Sequence, residues 1–160
     1  MQEYLQPTEF LDYDQTSVRE FAEAHARGAK SDTERAVALY GAVRDGFQYN
    51  PYIIDLRRTG LRASNLLTRN RGYCVEKAVL LAARARAVGV PSRLSFYIVR
   101  NHIATERLER ALRKNYLVFH GAADLRGVGS AATLRAPTVA RSTGAEGRGG
   151  PSWLAVRGNH

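Results

Sequence analysis

Apolar residues from Val18 onward recur at helical spacing. Val18, Phe21, Ala22 and His25 share one face, Thr16 or Ser17 is placed to cap the start, and Gly28 gives a stop. Ser31-Asp32-Thr33-Glu34 has the form of a capping box. It opens a second predicted helix with Val37, Tyr40 (or Leu39) and Val43 on one side and Gly46 as its end signal. Ahead of both, residues 4–12 read as an extended arm that Tyr4, Leu5, Phe10 and Leu11 can dock on a core.

The middle of the chain breaks and then restarts. Residues 47–52 are aromatic and turn at Asn50-Pro51, because the residue before a proline is pushed out of the helical region. A short helical turn is predicted over 63–67, and Asn70-Arg71-Gly72 breaks it. The helix expected next, 74–88, is the most apolar of the chain. Val75, Ala78, Val79 and Ala82 line one side, Leu81, Ala85 and Val88 an adjacent one, and Gly89 ends it. Arg84 and Arg86 lie within it and must reach solvent or find partners. Residues 92–99 alternate as a strand with Leu94, Phe96 and Ile98 on one face. A surface helix over 103–114 and a second strand over 115–120 follow, the latter placing Tyr116, Val118 and His120 on one face and ending at His120. Helices first and strands later give an α+β domain.

Composition changes the picture at the C-terminal end. Beyond about residue 127 glycine, alanine and arginine dominate, and only 131–139 keeps a weak strand pattern. The expected organisation is one domain over 1–142 and a Gly/Arg-rich tail over 143–160, too poor in apolar residues to fold by itself. At 160 residues the chain has room for one core and not comfortably for two. The net charge of +9 raises a basic nucleic-acid-binding module as an alternative, but no basic run is interleaved with aromatics. No apolar run reaches membrane-spanning length, and residues 1–7 lack the basic and apolar regions of a signal peptide. A cytoplasmic protein with no membrane partner is the expectation.

The candidate chemistry centres on Cys74, the only cysteine, where a glycine turn meets the apolar helix. A thiol at a helix N-terminus lies near the positive end of the macrodipole, which favours thiolate. A nucleophile of this kind needs a base and oxyanion donors, and the Cys74 N–H is one candidate donor. Of the four histidines, His25 lies on the first helix, His160 is terminal and His102 opens the surface helix. His120, at a strand end before Gly121, is the best placed. Tyr73 is expected to pack beside the helix start, Glu76 to complement its dipole, and Tyr49 and Tyr52 to join an aromatic core or line a cleft. Nothing has metal-ligand spacing or forms a phosphate loop, so neither metal nor cofactor is expected.

These residues carry a resemblance. The run 72–83, Gly-Tyr-Cys-Val-Glu-Lys-Ala-Val-Leu-Leu-Ala-Ala, is continued by Gly89-Val90-Pro91-Ser92-Arg93. It resembles the nucleophile helix and following strand of the bacterial transglutaminase-like superfamily. Residues 43–49 and Val118-Phe119-His120-Gly121 extend the similarity, which covers roughly 4–125. It implies a papain-like core with helices on an antiparallel sheet and the nucleophile at the N-terminus of a central helix. It also implies that Cys74 attacks an amide carbonyl of a protein, peptide or small amide substrate, with His120 as base, in acyl transfer or hydrolysis. The sequence departs from the family where the orienting aspartate is expected, near Ala140: no aspartate follows Asp124, and the expected tryptophan is missing near 130. The sequence after about Leu125 therefore reads as decayed or frame-shifted. A domain of the same fold that has lost its chemistry is the main alternative to an active Cys–His enzyme.

Overall fold

The computed structural model describes residues 2–100, 116–126 and 136–137. The predicted helix over 103–114, His102, Ala140, His160 and the 143–160 tail lie outside them. Four helices are described: α1 (Thr16–Ala26), α2 (Asp32–Gly46), α3 (Ala63–Arg69) and α4 (Cys74–Ala87). The strands are β1 (Gln48–Tyr49), β2 (Arg71–Gly72), β3 (Ser92–Arg100), β4 (Tyr116–Leu125) and β5 (Ala136–Pro137).

The N-terminal arm departs from full extension: Gln2–Leu5 forms a 3-10 turn. The arm docks as expected. Leu11 is buried, Phe10 accepts the Ala63 N–H through its carbonyl at 3.0 Å, and the Asp12 carboxylate accepts the N–H and hydroxyl of Ser64 at 3.1 and 2.5 Å. A residue distant in sequence thus binds free N–H groups at the start of α3, as an N-terminal cap does. For α1 the expected cap is wrong. Thr16 is already helical, the cap position is Gln15, and it makes no side-chain bond. The turn that joins the Gln15 N–H to the Asp12 carbonyl at 3.1 Å sets the helix start instead.

Ser31 does cap α2, its hydroxyl accepting the Glu34 N–H at 3.2 Å, while the Glu34 carboxylate reaches back to the Lys30 N–H at 2.7 Å. The buried face of α2 is Ala36, Leu39 and Val43; Val37, expected inside, is exposed. The face is rotated so that Leu39 is fully inside and Tyr40 packs half-buried against the core. Gly28 and Gly89, with φ of 85° and 81°, occupy the left-handed region that lets the chain turn away after α1 and α4.

Helix α4 is the centre. It packs against α1, α2, α3, β3 and β4, and nearly every residue from Cys74 to Arg86 is buried. A helix apolar all round belongs inside, and this one also takes its long cations with it. Lys77 is fully buried and donates to the Phe47 and Arg44 carbonyls at 2.6 and 3.1 Å, at the C-terminal end of α2. There a cation satisfies carbonyls the helix leaves free and complements its dipole. Burial pulls the Lys77 amine down to about 8. Arg84, a heptad on, lies against the Phe21 ring of α1, its guanidinium carbon 3.6 Å from the ring centroid. Arg86 donates to the Ser92 carbonyl at 2.7 Å and to the Gln6 carbonyl, fastening β3 and the arm to α4. Arginines that had to escape or find partners therefore became inner fasteners.

The sheet of β3, β4 and β5 is antiparallel, with β4 in the middle. Gly121, Ala123 and Leu125 alternate toward α4, and Ala123 and Leu125 are buried there. Strand β4 corrects one boundary: it continues five residues past His120, which sits mid-strand opposite Tyr97. Of the β3 face, Leu94 packs on the core, but Phe96 and Ile98 are exposed. A second element was not foreseen. The two-residue strands β1 and β2 pair in parallel, Tyr49 opposite Gly72.

Candidate active site

Cys74 is the first residue of α4, and three features hold that turn. The Glu76 carboxylate, almost fully buried, accepts the Tyr73 N–H at 3.0 Å and pairs with Arg69 at 2.7 Å. This is the carboxylate half of a capping box, strengthened by a buried ion pair. Gly72 makes it possible: a Cβ there would meet Glu76 Oε2 and Leu66 Cδ1 at 2.7 Å each. The β1–β2 ladder, continued by the Asn50 N–H donating to the Gly72 carbonyl at 3.0 Å, fixes the approach to the thiol. Expecting Glu76 merely to suit the dipole missed this larger role. The signal was present in the spacing from Tyr73 to Glu76.

Strand β4 meets this turn at Gly121. A Cβ at position 121 would come within 2.7 Å of the Val75 Cα, so only glycine lets the strand backbone lie on the helix here. At this contact the N–H of Gly121 points to the Cys74 sulfur, joined by the N–H groups of Val75 and of Cys74 itself. The structure thus brings Cys74 against the residue that follows His120.

The electrostatics differ from the expectation of a ready thiolate. Burial pushes the Cys74 thiol up; the three N–H groups pull it down by less, and the Glu76 charge adds to the rise. Burial likewise lowers His120. Desolvation penalises both charged forms, so the pair rests as thiol and neutral imidazole. Tyr49, half-buried beside the thiol, is pushed up to about 12 by burial first and by the nearby charges of Cys74 and Tyr52 next, and stays a hydrogen-bond donor. Tyr73 is also raised to about 12, chiefly by burial. Tyr52 is about half exposed and is not part of the core.

His120 Nδ1 is buried and has no hydrogen-bond partner among the described residues. Asp124 shares its strand face, but four residues along a strand span about 13 Å. Its carboxylate is instead bound to Ser95 and Arg93 of β3 at 2.6 and 3.1 Å. His25 is exposed on α1, where its Nδ1 lies 2.8 Å from the Phe21 carbonyl, far from any role beside the thiol. No group of three or more His, Cys, Asp or Glu among the described residues could hold a metal.

A central helix opening on a cysteine, packed on an antiparallel sheet whose middle strand carries a histidine, defines a cysteine-enzyme fold. The chain belongs to the transglutaminase-like superfamily, whose family model matches residues 19–133. The match runs past Leu125, where the composition changes. Two solved structures share the fold. One, described as a candidate cysteine protease from Cytophaga hutchinsonii, superposes with a TM-score of 0.61 at 16% identity, covering 79% of this chain and 38% of that one. The other, a candidate protease from Parabacteroides distasonis, gives 0.50 at 17% identity, covering 79% and 26%. This chain therefore spans well under half of either. No curated protein matches it. Among the described residues no helix is long and apolar enough to cross a membrane.

Proposed function

We propose that the protein is a cysteine enzyme acting on an amide carbonyl, with Cys74 as nucleophile and His120 as its base. The observation that carries this reading is the convergence of backbone N–H groups on the Cys74 sulfur at the start of α4, one of them from Gly121, the residue after His120. His120 takes the thiol proton as sulfur attacks the carbonyl carbon, and returns it to the leaving amine as the tetrahedral adduct collapses to a thioester. Water or an amine then releases the acyl group. The N–H groups at the helix start would turn from the sulfur to the developing oxyanion.

Release of ammonia from a glutamine peptide, or cleavage of a peptide bond, tests the reading. Cys74→Ala should lower the rate by about 10⁴-fold or more. Equal rates in the two proteins overturn it. One observation favours the rival reading, a domain of the same fold without chemistry: the unpartnered Nδ1 of His120. In serine proteases, losing the partner of that nitrogen costs about 10⁴ in rate. Turnover decides between them: a His120→Ala protein that loses as much of the rate as Cys74→Ala supports the enzyme reading, whereas a wild type no faster than Cys74→Ala supports the rival. A nucleic-acid role has less support, because Arg35, Arg44, Arg57, Arg58, Arg69 and Arg93 are each held by a carboxylate.

A further inference from the structure

The loop between β1 and α3 carries an apolar strip that the core does not use. Tyr52, Ile53, Ile54 and Leu56 are 48, 52, 50 and 73% exposed. Each such side chain forgoes much of the roughly 1.5–3 kcal/mol that full burial gives. Contiguous exposed apolar surface of this kind marks a binding surface.

The loop is not loosely held. At its start the ladder bond from the Asn50 N–H to Gly72 leads into a turn in which the Tyr52 N–H donates to the Asn50 side chain at 3.0 Å. In its middle the Arg57 guanidinium closes on Asp55 with bonds of 2.9 and 2.8 Å, and Arg58 pairs with Glu9 of the arm. At its end the Gly60 carbonyl accepts Arg69 Nη2 at 2.8 Å, and the same nitrogen donates to Glu76 at 2.7 Å. Both ends of the loop are therefore tied to the turn that carries Cys74. Tyr49 bridges the two, near enough to both Cys74 and Tyr52 to respond to their charge. On the adjoining β2, Arg71 is exposed and has no ion pair among the described residues. The chain's +9 charge favours a negative partner.

We propose that residues 52–56 are a docking strip for an extended polypeptide substrate, one with large apolar side chains next to the residue attacked and a carboxylate within reach of Arg71. Its orientation rests on the cysteine-enzyme reading above, whereas the binding itself needs no turnover.

The test uses full-length Cys74→Ala protein and the fluorescence anisotropy of labelled Glu-Leu-Leu-Gln-Gly, with Glu-Ser-Ser-Gln-Gly as control. The apolar peptide should bind at least about tenfold more tightly, the effect of burying one such side chain. Ile53→Ser with Leu56→Ser should erase that difference and leave the melting temperature unchanged, since both side chains already face water. Arg71→Gln should remove any preference for Glu over Gln at the peptide's first position. Equal binding of the two peptides, or an unaffected double variant, overturns the proposal. A wild-type dimer that the double variant disperses also overturns it, assigning the strip to a second copy of the chain. Peptide binding as expected, with no reaction of that peptide by the wild type, keeps the strip and rejects the proposed chemistry.

Discussion

The two halves of the candidate pair are built to different standards. On the cysteine side a chain of bonds runs from the Tyr73 N–H to Glu76, from Glu76 to Arg69 and from Arg69 Nη2 to the Gly60 carbonyl, with only Arg69 Nε among these groups buried without a partner among the described residues. On the histidine side β4 is well placed by Gly121, yet the ring keeps a buried nitrogen without a partner among the described residues. Fixing a nucleophile needs only local structure, because a helix start and its cap lie within a few residues of each other. Orienting a base needs a third group brought from elsewhere in the chain.

That contrast can be broken or sharpened by experiment. The largest effect should come from Glu76→Ala, which leaves the Tyr73 N–H and the Arg69 guanidinium without their carboxylate. Loss of one partner of a buried pair costs about 3–5 kcal/mol, so the urea midpoint should fall steeply. A midpoint within error of wild type would mean that the turn is held by packing alone. Gly121→Ala should come next, at about 1–3 kcal/mol, because its methyl must push β4 away from the Val75 backbone. Any rate measured with a glutamine peptide should fall by more than that loss of stability explains, since the same displacement withdraws an N–H from the sulfur.

Smaller effects follow from the charge states. Burial raises the Cys74 thiol, so alkylation at about pH 8.5 should be slower than that of free cysteine and should keep rising at higher pH. A plateau below that pH would contradict the neutral resting pair. The smallest effect concerns His120, whose folded value lies below its ordinary 6.5. Below that value the unfolded chain takes up a proton that the native state resists, so stability is lost as pH falls through the lowered folded value. His120→Gln should flatten this acid limb in unfolding curves taken on either side of neutrality. Parallel limbs in the two proteins would show that the ring is more open to solvent than its burial implies.

Much of this was legible in the sequence. Helical spacing gave α1, α2 and α4, the Ser31 box gave a true cap, and alternation gave β3 and the start of β4. Cys74 stood out as the only cysteine, where a glycine turn meets an apolar helix, and His120 as a histidine on a strand just before Gly121. What escaped was non-local. The β1–β2 ladder is too short to leave a pattern, and the end of β4 was hidden because Gly-Ala-Ala has little strand propensity and is held by pairing with β3. The raised thiol was missed for a related reason: the helix dipole is visible in sequence, whereas the desolvation that outweighs it exists only once the chain is packed. Arg84 and Arg86, two cations in an apolar helix, looked like misfits and became fasteners.

The slender β1–β2 ladder has a consequence for the order in which the molecule opens. Helix α4 is covered on all sides, so its amides should exchange with solvent only on global unfolding, whereas at its start the loop of residues 50–62 is held to the thiol's turn by two paired residues on each strand and at its end by the Arg69 bond to Gly60. Amide exchange at Asn50 and Gly72 should therefore run far ahead of exchange in α4. On the timescale of that opening, the protein can release whatever lies along the loop while the scaffold of its nucleophile stays folded.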